Sequence, residues 1–187
     1  MKAVVIVGFK GSGKTALATK LVRILSSRGY RVAALKHAHV GLTLCPTDSA
    51  KLFEAGAAVA LAVSQDAVET LERLSLTLSE ALSLLRSYDF LIVEGFKESF
   101  PGARIAVVRC KEELEKLMHP LTIAVYAPSG GVASTSVPTY GSGEEEKLAD
   151  LIEEKAFETP AGLNCRSCRY GNCIALAAAV LKGEATV

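Results

Sequence analysis

The sequence has no tryptophan and almost no net charge: 21 lysines and arginines stand against 20 acids, a formal balance of +1. Without a basic excess there is no electrostatic footprint for nucleic acid, and no such partner is expected. Long hydrophobic runs are missing too. None approaches the roughly 18 apolar residues that a bilayer demands, so no membrane span is expected. The apolar start runs straight into a glycine-rich segment with no cleavage site between, which reads as a core strand rather than a signal peptide. A cytoplasmic protein is the expectation. Internal repeats and low-complexity tracts are also absent. The five cysteines do not make a disulfide framework in that compartment, but three of them fall in the last 23 residues and point to metal or redox chemistry there. With 187 residues, half of them hydrophobic, the chain can build one α/β domain with room for a small appendage.

What is present is organised around Gly8-Phe9-Lys10-Gly11-Ser12-Gly13-Lys14-Thr15, a fit to the phosphate-loop pattern G-x-x-x-x-G-K-[ST]. The run Lys2–Val7 before it is short, apolar and β-branched, as a buried strand should be. After it, Leu17, Leu21, Val22 and Leu25 recur at helical spacing through Ser27. A glycine-rich turn between such a strand and helix converges backbone N–H groups on an anion, with the helix N-terminus adding partial positive charge. Gly8, Gly11, Ser12 and Gly13 would line the cradle. Lys14 would reach the β- and γ-phosphates, and the Thr15 hydroxyl would bind Mg²⁺. A nucleoside triphosphate ligand is expected.

The rest of the chain alternates. Tyr30–Lys36 reads as a second strand, parallel to the first by the βαβ rule. Asp48-Ser49 can cap a helix over 50–55, and Val59–Val63 is a third strand. Helical segments are expected over 67–74 and 78–87. Strands follow at 89–95, 105–109 and 122–126, with a helix over 111–118, a long flexible loop from Ser129 to Gly143, and a helix over 144–157. This is an α/β fold with a mostly parallel sheet.

Glu94 closes four apolar residues at a strand's C-terminal edge, where phosphate-loop proteins hold Mg²⁺ through water. The plain alternative is a strand-end carboxylate satisfied by solvent or by a helix N-terminus. Lys36, His37 and His39 end the second strand on the same rim. They read as contacts to phosphate or substrate, or the histidines as metal ligands, or simply as polar loop-edge residues. Asp48 can serve as a base, as a Mg²⁺ ligand through water, or only as a helix cap.

Over roughly residues 1–157 the chain resembles the molybdopterin-guanine dinucleotide biosynthesis protein B family. The matching features are Gly8–Thr15, Lys36-His37-x-His39, Asp48-Ser49 with Ala55-Gly56-Ala57, Leu91-Ile92-Val93-Glu94-Gly95-Phe96-Lys97, and the 105–109 strand ending in Arg109. The resemblance implies a three-layer, nitrogenase-iron-protein-like phosphate-loop NTPase fold, GTP with Mg²⁺ as ligand and a homodimer. It also implies partnership with the molybdenum cofactor guanylyltransferase. The chain departs from the pattern at Thr43–Thr47, where a second acid is usual, and at Ala127-Pro128-Ser129, where an Asp is common. The wider superfamily often has a lysine just after the first loop glycine; here that place holds Phe9, with Lys10 one residue late.

Past Pro160-Ala161-Gly162 lies a segment, expected to form its own module over 158–187. Cys165, Cys168 and Cys173 with Asn164, Tyr170 and Gly183-Glu184-Ala185 resemble a small iron–sulfur domain, in which Arg166 and Arg169 replace two glycines. A fourth cysteine of that pattern would fall about two residues beyond Val187, which leaves the fourth ligand of a [4Fe–4S] cluster or structural zinc open among Cys45, Cys110, another subunit and solvent. The expected function is a GTP-binding accessory protein of molybdenum cofactor synthesis, at most a slow GTPase because no arginine finger is evident. A metallochaperone-type GTPase and a small-molecule kinase are the alternatives.

Overall fold

Ala3, Val4, Val5 and Ile6 have no exposed surface and Val7 has 2%. A strand apolar on both faces needs cover on both, which a central position in a parallel sheet supplies. The computed structural model describes residues 1–38, 41–132 and 136–187. Its elements, in chain order, begin with β1 (Lys2–Gly8), α1 (Lys14–Ser27), β2 (Val32–Lys36) and α2 (Asp48–Glu54). Next come β3 (Val59–Val63), β4 (Val68–Glu72), α3 (Leu78–Leu84), β5 (Phe90–Glu94) and β6 (Ala103–Val107). The last are α4 (Lys111–Leu117), β7 (Thr122–Tyr126), β8 (Thr139–Tyr140), α5 (Glu145–Lys155) and α6 (Cys173–Leu181).

Contacts divide the chain into two units, Met1–His37 with Leu78–Val187, and Ala38–Thr77. In the first unit six strands form one sheet in the order β2-β5-β1-β6-β7-β8, and every pair in it is parallel. Leu17, Leu21 and Leu25 of α1 and Leu148 and Ile152 of α5 pack one face against Val4, Ile6 and Ile92. Leu82 of α3 and Leu114 and Leu117 of α4 cover the other against Val5, Val7 and Val93. This is the three-layer phosphate-loop NTPase architecture, with a Cys-bearing helix, α6, near the C-terminus.

In the second unit β3 and β4 form a two-stranded antiparallel ladder, with Val63 opposite Val68. The helix expected over 67–74 is therefore a strand. Val68-Glu69-Thr70-Leu71-Glu72 includes the β-branched Val68 and Thr70 two apart on one side of the strand. The turn before it is closed by Ser64 N–H on the Ala67 carbonyl at 2.8 Å, so the hairpin outweighs helical spacing. The cap of α2 is also one residue earlier than expected: Thr47, in extended backbone, accepts from the Ala50 N–H, and Asp48 lies inside the first turn. The segment expected as loop to Gly143 contains β8, paired to Val125 and Tyr126. No helix among the described residues is long and apolar enough to cross a membrane.

Candidate functional site

Gly8 ends β1 opposite Val107 of β6. A Cβ there would stand 2.5 Å from Ser12 Oγ and 2.7 Å from the Val107 carbonyl oxygen, so the turn can lie this close to the sheet only with glycine. Gly13, at φ +94°, caps α1 without any side-chain bond, leaving the first-turn N–H groups to face outward. Ser12 is 3% exposed, and its Oγ has no hydrogen-bond partner among the described residues. A buried hydroxyl without a partner is costly, and an anion accepting from it would remove that cost. Lys14 Nζ donates to the Phe9 carbonyl at 2.8 Å. The loop thus has outward N–H groups, an unused hydroxyl and a lysine bridging its own arc. These are the groups a polyphosphate needs.

The neighbouring strand brings the acid. Glu94 ends β5 opposite Ile6 of β1 and Lys36 of β2. Thr15 Oγ1 donates to Glu94 Oε2 at 2.8 Å, and Lys36 Nζ is 3.7 Å from the same oxygen. One hydroxyl and one carboxylate at this spacing are hard oxygen donors of the kind Mg²⁺ takes. His37 donates its backbone N–H to the Glu94 carbonyl at 2.8 Å, and its ring lies 4.5 Å from that of Phe96, tilted by 30°. Gly95 turns at φ +100°, and a Cβ on it would come 2.7 Å from His37 Cβ. Thr15, Lys36 and Glu94 also end a groove of about 360 Å³ whose walls include Ala18, Val22, Ala34 and Ile92.

Four expected residues thus meet: Thr15, Lys36, His37 and Glu94. His39 lies outside the described residues. Asp48 belongs to the second unit, where its carboxylate is 93% exposed and pairs with Lys51 at 2.8 Å. In the tail, the Cys173 N–H donates to Asn164 Oδ1 at 2.9 Å and the Asn164 N–H to Cys173 Sγ at 3.4 Å, tying 164 to 173. Hydrogen bonds to Ser167 hold the Cys165 thiol below its ordinary range. Among the described residues, however, no three His, Cys, Asp or Glu side chains stand close enough to hold a metal ion. Cys165, Cys168 and Cys173 as placed do not form a ligand set.

The family model for molybdopterin guanine dinucleotide synthesis protein B (MobB) matches residues 3–127. The chain belongs to the MobB family. The molybdopterin-guanine dinucleotide biosynthesis adapter protein of Escherichia coli (strain K12) is 31% identical over 159 residues, 78% of this chain and 88% of that protein. A crystal structure of molybdopterin-guanine biosynthesis protein B superposes with a TM-score of 0.66 at 29% identity, covering 81% of this chain and 97% of the other. Bacillus subtilis MobB gives a TM-score of 0.70 at 24% identity, over 82% and 97% of the two chains. A second model, for an Fe-S cluster segment, matches residues 161–187.

Within this MobB fold three further side chains bear on the site. Lys97 Nζ sits 5.6 Å from the centroid of the Phe9 ring. Arg104, only 2% exposed, donates from its guanidinium to the Lys97 carbonyl, and burial lowers its pKa. Glu113, in the first turn of α4, accepts from Arg109 Nε at 3.0 Å and from the Arg109 backbone N–H at 2.9 Å. Those bonds, with the charge of Lys14 as a lesser cause, hold its carboxyl below the usual range. Lys97 was visible in the Glu94-Gly95-Phe96-Lys97 run, but no local spacing places its head on Phe9.

Proposed function

We propose that the protein is a cytoplasmic adapter of molybdopterin guanine dinucleotide synthesis that binds GTP with Mg²⁺ and assists the guanylyltransferase, with slow hydrolysis at most. The observation that carries the reading is the Thr15–Glu94 pair at the mouth of the loop, in a chain of this family. Gly8, Gly11, Ser12, Gly13 and Lys14 hold the phosphates; Thr15 and Glu94 hold the cation, which supplies charge neutralisation between phosphate oxygens. Lys36 and His37 line the rim that substrate or the transferase approaches, beside the apolar groove. Arg109 is engaged by Glu113 and Arg104 by the Lys97 carbonyl. That supports weak hydrolysis, since neither of these guanidinium groups is free to meet transition-state charge.

A homodimer is part of the reading. Val59, Leu61 and Val63 lie on one face of β3 with Val63 opposite Val68, and these four side chains are 48–75% exposed. An apolar row of this kind favours burial against a second copy. Residues 158–187 are a Cys-rich appendage, supported by the separate family model that covers most of them.

Titration of GTP and of ATP into the protein with Mg²⁺, with and without the guanylyltransferase, tests this function. Tighter binding of GTP than of ATP, strengthened by the transferase, is expected. Equal affinity for both nucleotides in both conditions would remove the guanine-specific reading.

A further inference from the structure

The residues after Glu94 form a short, pinned arch. Because Glu94 stands opposite Ile6, two residues before Gly8, the chain leaving β5 rises beside the phosphate loop. Gly95 and Phe96 both take left-handed backbone, at φ 100° and 48°. For Phe96, which carries a Cβ, that conformation is costly and needs support from its surroundings. Three contacts give it. The Phe96 ring packs on His37. Its carbonyl accepts the N–H groups of Ser99 and Phe100, each at 3.1 Å. Phe100 itself is fully buried. Between these anchors Lys97 is fixed by its carbonyl, which takes the Arg104 guanidinium.

The hydrogen bond that Arg104 makes is this one, with the charge of Glu98 as a further attraction. The residue is 2% exposed, and its Nε has no hydrogen-bond partner. A buried cation spent on one carbonyl is an expensive way to hold a surface turn. What the expense secures is the position of the next side chain. Lys97 has a fixed backbone and a loosely held head: its side chain is 44% exposed, with Nζ in a long, solvent-facing ion pair with Glu98 at 3.8 Å and 5.6 Å from the Phe9 ring centroid. Phe9 belongs to the phosphate loop, and its carbonyl is the one that Lys14 grips. Two lysines from different parts of the chain therefore converge on a single loop residue.

We propose that Lys97 is a second phosphate-binding cation, parked on the Phe9 ring until a triphosphate draws it to the terminal phosphate. The proposal rests on the phosphate-loop reading and deepens it by naming what distinguishes three phosphates from two. The ring face offers weak, half-solvated attraction. A terminal phosphate with its extra negative charge offers a stronger, charge-assisted bond. The Lys97 head therefore leaves the ring when that phosphate arrives and stays when it is absent. The arch that carries Lys97 begins at Glu94, so the same segment reports on both cation and terminal phosphate.

The test compares GTP and GDP binding by calorimetry, each with Mg²⁺, in the unaltered protein and in Lys97→Met and Lys97→Arg variants. Methionine keeps the length and packing over Phe9 without the charge. Lys97→Met is expected to weaken GTP binding about ten-fold while leaving GDP within about two-fold, and Lys97→Arg to restore most of the loss. Equal weakening of both nucleotides, or no change in either, would overturn the proposal while leaving the loop reading intact. Failure of the unaltered protein to bind either nucleotide would overturn both.

Discussion

Lys14→Ala should weaken GTP binding at least about a hundred-fold, below what calorimetry at ordinary protein concentrations detects. Two losses combine in that change. The ammonium is the charge the loop itself supplies to the phosphates. It is also the bridge to the Phe9 carbonyl that spans the loop's arc. The fold should not suffer to match, because the side chain's hydrogen bond ends on a loop carbonyl rather than in either core. A melting temperature within about 2 °C of the parent is expected, since a half-exposed side chain outside the core contributes little to stability. Retained GTP affinity in a folded variant would mean that the phosphates lie somewhere other than Gly8–Thr15.

Glu145→Ala should have the largest effect on stability. Glu145 opens α5 and is 7% exposed. Its carboxylate accepts from Lys20 Nζ and from the Tyr126 hydroxyl, both at 2.6 Å, and from the Gly143 N–H at 3.0 Å. One side chain thereby joins α1, the end of β7 and the start of α5. The Lys20 bond first, then the Tyr126 bond, lower its pKa from 4.5 to about 2. The unfolded chain, with the ordinary value, takes up the proton first as pH falls. The stabilisation is therefore whole above about pH 4.5 and drains away as pH drops toward 2. Its size at neutral pH is on the order of 3 kcal/mol, which in a chain of this length is roughly 6–12 °C of melting temperature. Denaturation of parent and variant at pH 7 and pH 3 checks this. A gap that does not narrow at the lower pH would show that lost packing, not the ionised carboxylate, explains the change.

The parts legible in the sequence were those whose cause is local. β1, the loop and α1 form one continuous stretch whose periodicity, glycines and lysine each depend on near neighbours. β7 at Thr122–Tyr126 was equally plain, five apolar or β-branched residues between turns. Val68–Glu72 was harder, because leucine and glutamate suit a helix as well as a strand. Only its pairing with Val59–Val63 settles the matter, and that pairing depends on the turn at Ser64–Ala67. Thr47 took the cap from Asp48 because its extended backbone lets the hydroxyl reach the Ala50 N–H.

For the site, Glu94 was legible as an acid at a strand end, yet its bond to Thr15 spans 79 positions. Lys97 over Phe9 and Arg104 under Lys97 are products of sheet order. With β5 and β6 on either side of β1, the connection between them must cross beside the loop. No window of sequence contains that neighbourhood. The three tail cysteines show the converse, since spacing that suggests ancestry does not by itself bring thiols together.

The bridge from Lys14 to Phe9 has a consequence for how fast a ligand is captured. That bridge and Gly13 at the head of α1 fix the loop's concave form through contacts within the loop itself. An arriving nucleotide meets a finished seat and does not wait for the chain to wrap around it. Encounter and orientation then govern association, with a rate constant of roughly 10⁵–10⁷ M⁻¹s⁻¹ and an observed rate that rises in proportion to nucleotide concentration. Differences between one nucleotide and another are then expected in the dwell time rather than in the rate of capture.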